Sequence, residues 1–131
     1  MRLLVDTNVF IEALLKQRQA FVAQKLLASR RHELFISVFS LHSIGLIMMR
    51  NGRESRWPLF LKDMIASGRV KVLTLQTDDL AKVPATARQL SLDFDDAFQY
   101  VVAETYGLTI VSFDTDFDTT PLGRQTPQAV I

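Results

Sequence analysis

Arg2-Leu3-Leu4-Val5-Asp6-Thr7-Asn8 is a short apolar run that ends on an acid, and Thr109-Ile110-Val111-Ser112-Phe113-Asp114-Thr115-Asp116 repeats the arrangement far downstream. A brief apolar run bounded by polar residues reads as a buried strand. Between the two, Ser91-Leu92-Asp93-Phe94-Asp95-Asp96-Ala97 opens a long amphipathic stretch, so Asp96 stands at a helix start. In an open α/β sheet, ligands gather beyond the carboxyl ends of the strands. Asp6, Asp96 and Asp114, distant in sequence, are therefore expected at one edge of one sheet.

Working outward, strand patterns alternate with helical ones. Asp6 or Thr7 caps a helix from about Asn8 to Lys16, and a second helix carries Phe21, Val22, Leu26 and Leu27 at helical spacing. Ser29-Arg30-Arg31-His32 suits that helix's C-terminus, where cations meet the negative end of the dipole. Leu34-Phe35-Ile36 is the second strand, and Ser37 caps a helix that Asn51-Gly52 stops. Glu54 to Ala66 reads as a helix and Val70 to Leu75 as the third strand. Pro84 breaks the helical pattern that starts at Thr77. Asp93 caps a helix to Tyr106, with Gly107 at its C-terminal turn. Thr109 to Phe113 is the fourth strand, and Ala129-Val130-Ile131 is a candidate edge strand. The alternation predicts an α/β fold, a central parallel sheet of four to five strands with helices on both faces.

The length of 131 residues fits one domain over residues 1–131, and 48% hydrophobic with 22% charged residues supports a real core. A net charge of +1 excludes a strongly basic nucleic-acid binder, so any nucleic-acid contact must be local. The absence of cysteine removes disulfides and thiolate metal sites. Asp6, Asn8 and Glu12 interrupt the apolar N-terminus before it makes a signal peptide, and no run is long enough for a transmembrane helix. A soluble cytoplasmic protein is the expectation, with no membrane partner.

Each acid also has a plain structural role available. Asp6 suits an N-cap, Asp93 and Asp96 have the spacing of a cap and its partner, and Asp114, Asp116 and Asp118 make a solvated loop. What favours chemistry is that both outer acids end strands while the middle one opens a helix. Carboxylates without balancing bases suit a hard divalent cation such as Mg²⁺ or Mn²⁺.

Val5-Asp6-Thr7-Asn8-Val9-Phe10, Asp95-Asp96-Ala97 and Ile110-Val111-Ser112-Phe113-Asp114-Thr115-Asp116-Phe117 resemble the signature segments of PIN-domain ribonucleases. The small members best known are VapC-type toxins of toxin–antitoxin pairs. Gln125-Thr126-Pro127 resembles a near-terminal feature of the same family. The resemblance implies a PIN-like three-layer fold and a metal-dependent endoribonuclease, with Asp6, Asp96 and Asp114 as catalytic, Mg²⁺- or Mn²⁺-binding acids and Asp116 as an accessory ligand. It also implies an RNA substrate and an antitoxin protein as partner. A homodimer is expected as well, the apolar stripes of the first two helices offering a surface for it, set against core packing. The alternative reading is a degenerate PIN module that acts by RNA or protein binding.

One departure supports that alternative. PIN nucleases usually carry a glutamate in the helix after the second strand, where this chain has Ser43. Asp93 and Asp95 are candidate substitutes, and His42 is either a ligand or proton-transfer group or a structural residue. Arg50, Arg53 and Arg56 are candidate phosphate contacts, set against a solvated face. Trp57, Phe60 and Tyr106 offer rings for base stacking, set against core packing. The strand and aspartate pair at Asp114 and Asp116 also resembles haloacid-dehalogenase-type phosphatases. There the pair opens the catalytic core, whereas here only 15 residues follow Asp116, too few to supply the rest of that fold.

Overall fold

The computed structural model describes residues 1–131. Four strands, β1 (Arg2–Val5), β2 (Glu33–Ser37), β3 (Val70–Leu73) and β4 (Thr109–Val111), form one sheet in the order β3-β2-β1-β4. All three pairings are parallel, with Leu4 opposite Phe35 on one side and Ile110 on the other. Parallel neighbours need crossover connections, and helices supply them. The first crossover uses α1 (Thr7–Leu14) and α2 (Ala20–Ala28), and the second uses α3 (Val38–Arg50) and α4 (Trp57–Phe60). α5 (Thr77–Leu80), α6 (Val83–Leu90) and α7 (Phe94–Tyr106) lead back to β4.

Strand alternation divides the core in two. Leu3, Val5, Leu34, Ile36 and Val111 face α1, α2 and α3, where Phe10, Leu26, Ile44 and Met48 are buried. Leu4, Phe35 and Ile110 face the opposite side and meet Val83, Phe98, Val101 and Val102 from α6 and α7. A period of two puts successive side chains on opposite faces. Both faces here are apolar, which is why the strands read as continuous hydrophobic runs. No helix is long and apolar enough to cross a membrane.

Several boundaries differ from the sequence expectations. β3 and β4 stop at Leu73 and Val111, short of Leu75 and Phe113. Ser29-Arg30-Arg31-His32 lies beyond α2, whose last turn carries only Lys25 as a base. The stretch from Glu54 to Ala66 is a 3₁₀ turn, then α4, then a π-helical turn over Leu61–Ala66. Ala129-Val130-Ile131 is not an edge strand. Thr126 caps a short helix, α8 (Pro127–Val130), by accepting from the Ala129 amide, with Pro127 in its first turn. The sheet is instead extended beside β4 by a single parallel bridge between Val111 and Gln125.

Candidate functional site

Asp6 leaves β1 with an extended backbone and caps α1, its side chain accepting from the Thr7 amide at 2.8 Å. The capping role and the position at the sheet edge are thus compatible. Asp96 sits in the first turn of α7, one turn from Asp93, which holds the cap position but makes no side-chain capping bond. Asp114 follows β4 and caps a 3₁₀ turn over Thr115–Thr119 by accepting from the Asp116 amide at 2.8 Å.

These segments converge. One carboxylate oxygen each from Asp96, Asp114 and Asp116 lies within 4.8 Å of the others. Asp6, Asp96 and Asp114 line one cleft of about 400 Å³, together with Ser43, Asp95, Gln99 and Arg50. Asp6 lies outside the tightest group of three and is buried. Its Oδ1 accepts from Gln99 Nε2 at 3.1 Å as well as from Thr7, and its Oδ2 accepts from the Ser112 hydroxyl at 2.6 Å and Asn8 Nδ2 at 3.5 Å.

Ser112 is the hub of this network. Its hydroxyl donates to Asp6 and accepts from Asn8 Nδ2 at 3.1 Å and the Asp114 amide at 2.9 Å. One donor and two acceptor positions are thereby used up. Asn8 Oδ1 in turn accepts from the Phe113 amide at 3.2 Å. Arg124 donates to the Ser112 carbonyl and grips Asp118 through Nε at 2.9 Å and Nη2 at 3.1 Å. Asp6 and Asn8 thus tie the end of β1 to the end of β4, while Arg124 ties together the segments that follow β4.

Electrostatics follow from this crowding. No ion pair reaches Asp6, Asp96, Asp114 or Asp116. Loss of solvation, then repulsion from Asp6, Asp114, Asp95 and Asp116, pushes the Asp96 carboxyl up to about 7. Burial raises Asp6 too, opposed by its bonds from Ser112, Gln99 and Thr7. Asp116 is fully exposed and is raised chiefly by the Asp114 charge. Such perturbed acids in a cleft mark functional sites more often than structural ones.

The other candidates divide. Ser43 lines the acid cleft, as does Asp95, whereas Asp93 is not among its lining residues. His42 is exposed and is not among those lining residues either. Arg50 lines the cleft, while Arg53 is exposed at the start of the 3₁₀ turn. Arg56 is exposed and donates through Nη1 to the Leu14 carbonyl at the end of α1. Phe60 is core, and Trp57 packs on the same cluster and stacks on it, so neither ring is free for a base. Tyr106 hydrogen-bonds the Thr74 carbonyl. Gln99 and Ser112 were not singled out from the sequence. Gln99 follows Asp96 by one helical turn and so shares its face, a signal that was present.

The model of the PIN domain matches residues 3–122. No curated protein matches. Among solved structures, VapC20 from Mycobacterium tuberculosis, a sarcin–ricin loop cleaving toxin, superposes with a TM-score of 0.77 at 19% identity, covering 91% of this chain and 95% of that one. A chain of a toxin–antitoxin complex from Klebsiella pneumoniae gives 0.72 at 22% identity, with 97% and 98% covered. A chain of VapBC2 from Rickettsia felis, bound to a DNA fragment from its promoter, gives 0.71 at 16% identity, with 96% and 98% covered.

Proposed function

The chain belongs to the PIN domain family, and from that premise we propose that residues 1–131 form one metal-dependent endoribonuclease domain, the toxin of a toxin–antitoxin pair. The observation that carries the proposal is the convergence of Asp96, Asp114 and Asp116 within 4.8 Å, beside Asp6, with no basic partner. An all-oxygen, anionic donor set fits Mg²⁺ or Mn²⁺. Ligand oxygens around Mg²⁺ stand about 3–4 Å apart, so the three carboxylates need only a small inward movement.

In this reading Asp6, Asp96 and Asp114 are the catalytic acids, and all three with Asp116 would hold the cation, Asp96, Asp114 and Asp116 making the first grip. The bound cation supplies Lewis-acid polarisation of the scissile phosphate and a more acidic attacking water. Asp6 supplies a fixed negative charge whose orientation its hydrogen bonds set. Asp96, whose carboxyl is pushed up to about 7 by burial and the neighbouring acids, would hold the cation as the ionised carboxylate. Arg50, on the cleft wall, is placed to hold a substrate phosphate. RNA as substrate and an antitoxin as partner are proposed by analogy with the toxins and complexes named above. A homodimer is proposed as well: Leu46 and Met49 are 51% and 67% exposed along α3, an apolar face that a second copy would cover. A cytoplasmic location accords with this.

Ser43 favours a second reading. A hydroxyl stands in the cleft where the resemblance to PIN nucleases implies a carboxylate, which suits a module that binds RNA without cutting it. Incubating the purified chain with a labelled RNA pool and Mn²⁺, Mg²⁺ or EDTA separates the two. The nuclease reading expects cleavage with metal, none with EDTA, and none by Asp114→Asn. Retained RNA in every condition, with binding by gel shift, supports the module instead.

A further inference from the structure

Gln99 lies on α7 with 3% of its surface exposed and lines the acid cleft. Its Nε2 donates to Asp6 Oδ1 at 3.1 Å, while its Oε1 is buried and has no hydrogen-bond partner. The orientation of the amide is dictated chemically. An ionised carboxylate only accepts, so the nitrogen must face Asp6 and the oxygen must face away from it. Buried polar atoms are almost always paired, and an orphan calls for an explanation.

No side chain around Oε1 provides the donor it lacks. Its neighbour Asp6 already accepts from Nε2, and no hydrogen bond from Asp96, one turn earlier on the same face, reaches it. A divalent cation of the Mg²⁺ type holds several waters, each a strengthened donor. Partners of that kind, one step removed from the ion, orient its surroundings.

Resting on the proposed metal function, we propose that Gln99 is a positioning residue, its Nε2 holding Asp6 and its Oε1 accepting a hydrogen bond from the hydration shell of the cation held by Asp96 and Asp114. The amide thereby couples the buried acid to the ion without itself carrying charge. It also gives a site with serine at position 43 an additional hard oxygen facing the ion's waters.

The test is Mn²⁺ titration calorimetry on wild type, Gln99→Met and Gln99→Glu, with thermal melts of each metal-free protein. Gln99→Met keeps the length and removes both polar atoms. It is expected to weaken Mn²⁺ binding about 10- to 100-fold, the usual effect of losing such a partner. Gln99→Glu keeps an acceptor and should bind Mn²⁺ at least as tightly as wild type, while melting lower without metal because two carboxylates then face each other. A purely structural glutamine predicts a lower melting temperature in Gln99→Met with the same Kd, and that result overturns the proposal. So does a Gln99→Glu protein that is folded and binds Mn²⁺ as weakly as Gln99→Met. Absence of Mn²⁺ binding by wild type overturns the metal function itself and this proposal with it.

Discussion

Replacing Asp96 by Asn removes one charge from the crowded edge, and its effect on the metal-free protein has a definite sign. The carboxyl is pushed up to about 7 from an ordinary 3.8, first by desolvation and then by the neighbouring acids. A shift of about 3 units corresponds to about 4 kcal/mol if fully realised. Asp96 is only half-buried, and solvent screening reduces this to about 2 kcal/mol. The charge also sits in the first turn of α7, where the helix dipole returns about 0.5 kcal/mol. The net expected gain for Asp96→Asn is about 1–2 kcal/mol. Between pH 3.8 and 7 the folded protein binds more protons at this site than the unfolded chain. This group's contribution to stability therefore falls as pH rises through that window, and the full cost is present above pH 7. Thermal melts in EDTA should show Asp96→Asn roughly 5 °C more stable at pH 8 and no different at pH 4. A mutant equal to or less stable than wild type at pH 8 refutes the reasoning, because it means Asp96 acts only as a first-turn acid.

Asp6→Asn should gain less. Removing the charge relieves its burial, but four donors point at the Asp6 carboxylate and an amide NH₂ meets at least one of them donor to donor, a cost of about 1–2 kcal/mol, so urea unfolding should show Asp6→Asn less stable than Asp96→Asn. Ser43→Glu places a further carboxylate in the cleft and should tighten Mn²⁺ about tenfold by calorimetry, or about 1–2 kcal/mol; an unchanged Kd means position 43 points away from the ion. Mn²⁺ at a hundredfold excess over Kd should stabilise wild type by about 2.7 kcal/mol in thermal melts, and Asp114→Asn should lose most of that gain.

The sheet was legible because both faces of β1, β2 and β4 are buried, so Leu3-Leu4-Val5 and Leu34-Phe35-Ile36 stand out as apolar runs. Ser37 and Gly107 marked helix ends correctly because caps are local chemistry: Ser37 accepts from the Ser40 amide, and Gly107 takes a positive φ of 66°. Pro84 likewise divided α5 from α6 by falling in the first turn of the latter. That the three acids meet followed from two strand ends and a helix start. The partners that hold them did not, because hydrogen bonds such as Gln99 to Asp6 or Asn8 to Ser112 span 93 and 104 residues. The C-terminal segment was misread for a related reason. Ala129-Val130-Ile131 is apolar enough for a strand, but the Thr126 cap and Pro127 start a helix there, and Gln125 takes the place beside β4.

Asp96 on α7 with Asp114 and Asp116 after β4 is proposed to form a divalent-cation site beside Asp6. Anomalous diffraction from crystals of the wild-type chain soaked in Mn²⁺ tests it directly. A single strong anomalous peak is expected within coordinating distance, about 2.2 Å, of carboxylate oxygens of Asp96 and Asp114, absent from Asp114→Asn crystals treated identically. A cleft without a peak at saturating Mn²⁺, or a peak bound elsewhere on the chain, contradicts it.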